Sequence, residues 1–219
     1  MTAASEHLAR EQQLLDEYAA GDHPRKRLVW ESERALVVSQ LDAHLPRFMD
    51  AMRASAAEGW PVTLRKTGGS AVAIGPGVVN FSVVDSWRGT QPTLAYGFDL
   101  VCTPVIRALA HLGVTGTTGA APGAFCDGKY NVLVDGRKIA GTAQRCTRRG
   151  PGGALLAQAM LIVDADPAEL TSAVARFYER AGSDRTFDAR AVTSIERCLA
   201  GRPIDNLRAT LAGWLGGDS

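Results

Sequence analysis

Apolar positions along the chain follow two spacings, one typical of helices and one typical of strands. Apolar residues recur every three or four positions within residues 4–18, 46–57, 94–112, 167–181 and 189–215. Alternating or short continuous apolar runs occupy two segments within 27–39, and residues 61–65, 78–84, 130–134, 138–144 and 154–163. Because helices and strands do not alternate as in a doubly wound sheet, this order predicts an α+β domain with a mixed, largely antiparallel sheet packed with helices.

Turn residues mark where these elements end. Asp135-Gly136 separates two strand-like runs and predicts a tight hairpin. Residues 145–153 combine Arg145, Arg148 and Arg149 with glycine and proline, which predicts a mobile basic loop. Such a loop could bind an acidic partner, although a solvated surface loop explains the same composition.

The totals predict one ordinary globular domain. The chain has 219 residues, of which 46% are hydrophobic and 21% charged, and no linker or repeat divides residues 1–219. A net charge of +1 argues against a nucleic-acid partner, which would favour a clear basic excess. Apolar runs are shorter than the ~20 residues of a membrane helix, so no membrane association is expected.

Cysteine usage favours a reduced, cytoplasmic protein without a structural metal. The four cysteines form no Cys-x-x-Cys pair and lie at no zinc-finger spacing from histidine. Residues 1–22 are charged and lack the apolar core of a secretion signal. Cys102 and Cys198 fall in predicted helices and Cys146 in the basic loop, and we interpret all three as structural.

Two segments carry candidate chemistry. In residues 65–72, a predicted strand ends at Gly68-Gly69, where backbone N–H groups can approach an anion that a Cβ would obstruct, with Arg65 beside them as a cation. Glycine pairs that follow a strand are more often plain turns, which is the alternative interpretation. In the second segment, Lys138 opens a strand in which Gly141 and Ala143 leave one side open, so its ammonium could reach into a cleft. A solvated turn lysine is the alternative.

Together these segments resemble the lipoate–protein ligase family. Residues 65–72, Arg-Lys-Thr-Gly-Gly-Ser-Ala-Val, resemble its Arg-x-Ser-Gly-Gly-Gly-Ala-Val signature, and Asn80-Phe81 resembles its closing Asn-Phe. Residues 135–144, Asp-Gly-Arg-Lys-Ile-Ala-Gly-Thr-Ala-Gln, resemble its lysine motif almost residue for residue. The resemblance spans about residues 27–178 and implies the α+β fold shared with biotin protein ligases, whose own Gly-Arg-Gly-Arg-x-Gly signature this chain lacks.

The resemblance implies transfer of a lipoyl or octanoyl group to a lysine of a carrier, either a glycine-cleavage H-type protein or the E2 lipoyl domain of a 2-oxoacid dehydrogenase. It assigns acyl or adenylate binding to Arg65, Thr67, Gly68, Gly69, Ser70, Ala71, Asn80, Gly141, Thr142 and Ala143. Transferases of the family hold the acyl group on a cysteine, and Cys126 lies in the corresponding region, with Lys138 as the group that would activate its thiol.

Departures from the family pattern keep two other interpretations open. Ser70 replaces a third glycine, Ile74 replaces a histidine common in ligases, and Gln158-Ala159 replaces His-Gly. An ATP-dependent ligase, which would use ATP and Mg²⁺ to form a lipoyl-adenylate, is one alternative. A non-catalytic protein that binds the acyl group or its carrier is the other.

Overall fold

Six α-helices and nine β-strands form the part of the chain that the computed structural model describes, residues 2–217. The prediction of one domain over residues 1–219 includes residues 1, 218 and 219, which lie outside this range. The helices are α1 (Ala4–Ala20), α2 (Phe48–Ala57), α3 (Leu94–His111), α4 (Pro167–Arg180), α5 (Ile195–Cys198) and α6 (Leu207–Gly216). The strands are β1 (Lys26–Trp30), β2 (Ala35–Ser39), β3 (Val62–Arg65), β4 (Val72–Ile74), β5 (Val78–Arg88), β6 (Thr117–Gly119), β7 (Asn131–Val134), β8 (Arg137–Arg149) and β9 (Gly152–Ile162).

The strands form two sheets. The larger is antiparallel, in the order β1-β5-β9-β8-β7-β6. The smaller has the order β3-β2-β4, in which β2 and β3 are parallel and β2 and β4 antiparallel. The expected mixed, largely antiparallel architecture is therefore confirmed, but it is divided between two sheets.

Strand β5 shows why both faces of the large sheet are buried. Successive side chains of a strand point to opposite faces. Phe81 and Val83 pack in the core formed with α3, α5 and α6, whereas Val84 packs with α1 on the other face. Asn80 and Ser82 are buried polar residues at alternate positions of the same strand as Val84. They place hydrogen-bonding groups on the face that the small sheet and α1 cover.

The hairpin predicted at Asp135-Gly136 is confirmed. Both residues have positive φ angles, 49° and 73°, as a type I′ turn requires, and β7 pairs with β8 on either side of them. A register irregularity beside Val132 and Leu133 interrupts the pairing near the start of β8.

The mobile basic loop predicted at residues 145–153 is wrong. Strand β8 continues to Arg149 and β9 begins at Gly152, with Arg145 opposite Leu156. Beyond Ala140, β8 pairs only with β9, and its residues 142–149 are half-buried or exposed, which leaves room in solvent for the arginines. Cys146 accordingly lies in a strand, opposite Leu155.

Among residues 2–217, no helix is both long enough and apolar enough to cross a bilayer.

Candidate active site

The two adjacent glycines form a loop that Arg65 organises. We call residues 68–71, the second part of the connection from β3 to β4, the glycine loop. Arg65 is buried, and its Nη2 donates to the carbonyl oxygens of Gly68 at 3.0 Å and Ser70 at 2.8 Å. Gly69 has a φ of +96°, a conformation that side chains disfavour. A fixed cation and a tight glycine turn therefore meet, as the sequence predicted.

Cys126 lies against this loop although it is 56 residues away in sequence. Its Sγ accepts a hydrogen bond from the Ser70 backbone N–H at 3.3 Å and lies 3.7 Å from Arg65 Nη2. A Cβ added at Gly69 would stand 2.8 Å from the sulfur, so only glycine allows this approach. The backbone of Cys126 has a φ of +48°, which is uncommon for a residue with a side chain and is typical of functional sites.

Lys138 reaches the same point from the start of β8 and is fully buried. Its Nζ donates to the carbonyl oxygens of Phe125 at 2.7 Å and Cys126 at 3.1 Å, and lies 4.8 Å from the centroid of the Phe125 ring. A Cβ on Gly141 would be 2.8 Å from Nζ. The lysine therefore extends over a small residue into the interior and is not a solvated turn lysine.

The surroundings shift the pKa values of both groups. Burial is the largest influence on Cys126 and opposes its ionisation, but the charges of Lys138 and Arg65 and the Ser70 N–H outweigh it, so the pKa of the thiol falls below its ordinary value of 9.0. Burial lowers the pKa of Lys138 to about 8, against the attraction of the Cys126 thiolate. The surroundings of Cys126 therefore favour its thiolate more than those of an isolated cysteine would.

A narrow cleft extends from Cys126 between the two sheets. Of the predicted site residues, the cleft is lined by Arg65, Asn80, Cys126, Gly141, Thr142 and Ala143. Its apolar lining includes Leu8, Trp30, Val37, Val72, Ile74, Ala159 and Met160. An acyl chain that begins at Cys126 therefore has apolar walls to occupy.

The remaining predicted residues have other contacts. Thr67 donates from Oγ1 to Gln158 Oε1 at 2.8 Å, and Ala71 donates its backbone N–H to the Tyr178 hydroxyl at 2.8 Å. Gly68 is exposed, and a Cβ placed on it would meet nothing within 4 Å. These residues shape the glycine loop and do not line the cleft.

Sequence reasoning missed a buried carboxyl group beside the cleft. Glu11 of α1 accepts hydrogen bonds from Trp30 Nε1 at 2.9 Å, from Ser82 Oγ and from Gln158 Nε2, and burial raises its pKa. A signal existed, because Glu11 shares the buried face of α1 with Leu15, four positions further along. Gln158 stands at the position where the family often has histidine. Both ends of its amide are hydrogen-bonded, because it donates to Glu11 and accepts from Thr67.

Three comparisons identify relatives of this chain. Residues 3–214 match the family model of the lipoyl protein ligase A/B catalytic domain. The octanoyl-GcvH:protein N-octanoyltransferase of Kyrpidia tusciae is 37% identical over 210 residues, covering 91% of this chain and 71% of that protein. An enzyme of the same name from Bacillus velezensis is 28% identical over 191 residues, and the chain spans 64% of its length.

A solved structure has the same fold. A candidate lipoate protein ligase of T. acidophilum with bound lipoic acid superposes with a TM-score of 0.71 at 22% identity, covering 96% of this chain and 78% of that one. The fold and site thus define an α+β protein that brings a half-buried cysteine, a buried lysine and a glycine loop together beside an apolar cleft. The chain belongs to the lipoyl protein ligase A/B catalytic domain family.

Proposed function

We propose that this protein transfers an octanoyl or lipoyl group to a lysine of a carrier domain through a thioester on Cys126. The observation that carries the proposal is the environment of the sulfur, which receives the Ser70 N–H and lies near the cations Arg65 and Lys138. An activated cysteine nucleophile needs such a lowered pKa. The names of the relatives supply the acyl group and the donor, an octanoylated carrier of the GcvH type.

The first half-reaction forms the thioester. The thiolate of Cys126 attacks the carbonyl carbon of the octanoyl amide on the donor, and the negative charge that develops on the oxygen is stabilised by the nearby cations. The bond between that carbon and the donor lysine nitrogen then breaks. The leaving nitrogen takes a proton from Lys138, whose pKa of about 8 suits a group that must give and regain a proton near neutral pH.

The second half-reaction reverses these roles. The neutral amine of the acceptor lysine attacks the thioester carbon, the carbon–sulfur bond breaks and the thiolate returns. The proton released by the amine goes to Lys138, which restores its charge. Protons and electrons balance over the two steps without nucleotide, so ATP and Mg²⁺ are needed only if the chain instead works as a ligase on free lipoate or octanoate. The acceptor is a lipoyl domain, either of an H-type protein or of a 2-oxoacid dehydrogenase E2.

Intact-protein mass spectrometry tests the proposal directly. Wild type, Cys126→Ser and Cys146→Ser are each mixed with octanoyl-loaded carrier in the absence of nucleotide. We expect a hydroxylamine-labile acyl adduct on wild type and on Cys146→Ser, because burial raises the pKa of the Cys146 thiol. The adduct should be missing from Cys126→Ser.

Other outcomes separate the alternatives. If no adduct forms but ATP and free lipoate together modify an acceptor lipoyl domain, the protein is a ligase and Cys126 is structural. If the protein binds the loaded carrier and neither reaction occurs, the non-catalytic interpretation holds.

The basic end of the β8–β9 hairpin is a candidate docking surface for an acidic carrier. Arg149 is exposed there, and the Arg148 guanidinium lies 4.7 Å from the centroid of the Trp87 ring. Arg148→Glu combined with Arg149→Glu is expected to raise the apparent KM for the carrier about tenfold and leave kcat largely unchanged, because opposite charges across an interface mainly speed encounter.

The matched control reverses two exposed arginines elsewhere, Arg107→Glu with Arg137→Glu, which changes the net charge equally. Steady-state transfer at low and high salt measures the effect, which salt should diminish. An unchanged KM in the hairpin variant, or an equal rise in the control, would remove the docking role from this surface.

A further inference from the structure

The glycine loop is held from two opposite sides. On one side Arg65 binds the carbonyl oxygens of Gly68 and Ser70. On the other side the backbone N–H of Ala71 donates to the Tyr178 hydroxyl at 2.8 Å. The Ser70 carbonyl and the Ala71 N–H belong to one planar peptide group, so that group is fixed at both of its polar ends.

The neighbouring peptide group is the one that faces the cysteine. Its N–H, on Ser70, donates to Cys126 Sγ at 3.3 Å. This group lies between the peptide whose carbonyl is on Gly68 and the peptide that Tyr178 holds. Gly69, inside the segment, has few conformational restraints of its own. The direction of the Ser70 N–H therefore depends on the groups that hold the peptides before and after it.

Tyr178 is itself anchored in the interior. Its side chain on α4 is 1% exposed, and its hydroxyl donates to Asp42 Oδ1 at 2.7 Å. The other carboxylate oxygen of Asp42 accepts from the backbone N–H and the hydroxyl of Ser39, at 3.0 and 2.9 Å. Arg185 also donates to the Tyr178 hydroxyl, at 3.1 Å. One donor and two acceptor positions exhaust what a hydroxyl offers, so its orientation is fixed.

We propose that Tyr178 is a positioning residue, whose hydroxyl, oriented by Asp42, holds the glycine loop so that the Ser70 N–H points at Cys126 Sγ. This role rests on the proposed function, in which that sulfur is the nucleophile. Tyr178 does not line the cleft, so it acts through the loop and not on the acyl group.

The effect of Tyr178 on Cys126 can be separated from the effects of the charged groups around the sulfur. Lys138 and Arg65 favour the thiolate by charge, whereas the adjacent Asp127 is engaged by the Ala121 N–H and by Asn131. Removing the Tyr178 hydroxyl changes none of these charges. Asp42 and Arg185 lose a hydrogen-bond partner, but within the glycine loop the change releases only the Ala71 N–H end of the peptide that follows Ser70. The thiolate should therefore lose the alignment of a single N–H donor.

The rate of Cys126 alkylation by iodoacetamide as a function of pH measures this effect. Tyr178→Phe keeps the ring that packs against Phe177 and Phe187. We expect alkylation at neutral pH to slow about tenfold and the profile to move to higher pH, because a hydrogen bond to a charged group is stronger than a neutral one. The matched control is Tyr18→Phe, which removes a hydroxyl that donates to the Pro24 carbonyl at 3.0 Å, away from the loop.

Asp42→Asn is a second variant in case Tyr178→Phe does not fold. The Ser39 N–H requires an acceptor, so the amide oxygen would turn toward Ser39 and the amide nitrogen toward Tyr178. Three donors would then compete for two lone pairs on the Tyr178 hydroxyl and weaken its bond to Ala71. The alkylation profile should move in the same direction.

A folded Tyr178→Phe protein with the wild-type alkylation profile would overturn the proposal and leave Tyr178 as a packing residue. The measurement uses no acyl donor, so its outcome is independent of whether the thioester forms. If the profile shifts while wild type forms no adduct with loaded carrier, the positioning stands and the proposed transferase function fails.

Discussion

Replacing Lys138 with methionine is expected to slow acyl transfer about a thousandfold while leaving the chain folded. Two contributions are lost together. The thiolate of Cys126 loses the cation that most favours it, and the leaving amine loses its proton donor. Removing an electrostatic or acid–base group of this kind typically lowers a rate ~10²–10⁴-fold. The transfer of octanoyl groups between carriers, followed by mass spectrometry, measures the change.

Two opposing contributions to the free energy of unfolding explain why the Lys138→Met protein should remain folded. The carbonyl oxygens of Phe125 and Cys126 lose their donor, which costs about 1–3 kcal/mol for each acceptor left unpaired. Against this, burial of the Lys138 ammonium in the wild type lowers its pKa from 10.5 to about 8. At roughly 1.4 kcal/mol per pKa unit, keeping this ammonium charged in the interior is unfavourable by about 3 kcal/mol. The two effects oppose each other and are of the same order, so the melting temperature at neutral pH should move by only a few degrees.

A pH series checks the same reasoning. The folded pKa of Lys138 lies below its ordinary value, so its contribution to wild-type stability is complete above pH 10.5 and is lost as the pH falls through about 8. Lys138→Met should remove this part of the pH dependence. Lys129→Met, an exposed lysine in the connection before β7, is the matched control and should behave as wild type. Full transfer activity in Lys138→Met would make Lys138 a structural lysine.

Features that depend on residues close together in sequence could be predicted from the sequence. The Asp135-Gly136 turn and the Lys138–Gly141 pair are set within a few residues, and the structure has both as expected. The basic hairpin was mistaken for a loop because glycine and proline at 150–153 suggested a break longer than the two-residue turn that is present. Local composition marks a turn but does not measure its length.

Long-range pairings could not be predicted. Strand β4 has three residues, too few to show the two-residue period of a strand. No local pattern indicates that β1 and β2, although consecutive in sequence, belong to different sheets. The hydrogen bond from Tyr178 to Asp42 joins residues that are 136 positions apart in sequence. From the sequence pattern alone, Tyr178 is one more apolar position of the amphipathic helix α4. The motif residues were thus identifiable from sequence, whereas the groups that hold them in place were not.

Gly69→Ala is expected to impair both the fold and the chemistry, whereas Gly68→Ala, one residue earlier, should do little. At Gly69 the φ of +96° strains any side chain, and the new Cβ would stand 2.8 Å from both Arg65 Nη2 and Cys126 Sγ. Left-handed strain alone costs on the order of 1–3 kcal/mol. Relieving the clash moves the sulfur or the guanidinium, so transfer should fall by about a hundredfold or more, since small misplacements of reacting groups have effects of that size.

Gly68→Ala isolates the reason for the effect. Its Cβ would meet no atom within 4 Å and its φ lies outside the left-handed range, so the substitution adds a methyl group to the same loop without strain or contact. Thermal unfolding, iodoacetamide alkylation and acyl transfer measured on both variants separate the two positions. If Gly68→Ala lost transfer but kept normal alkylation, the carrier or acyl group would approach the backbone at Gly68. If Gly69→Ala kept wild-type transfer, the close contact between the loop and the sulfur would not be needed for catalysis, and the thiolate would depend on Arg65 and Lys138 alone.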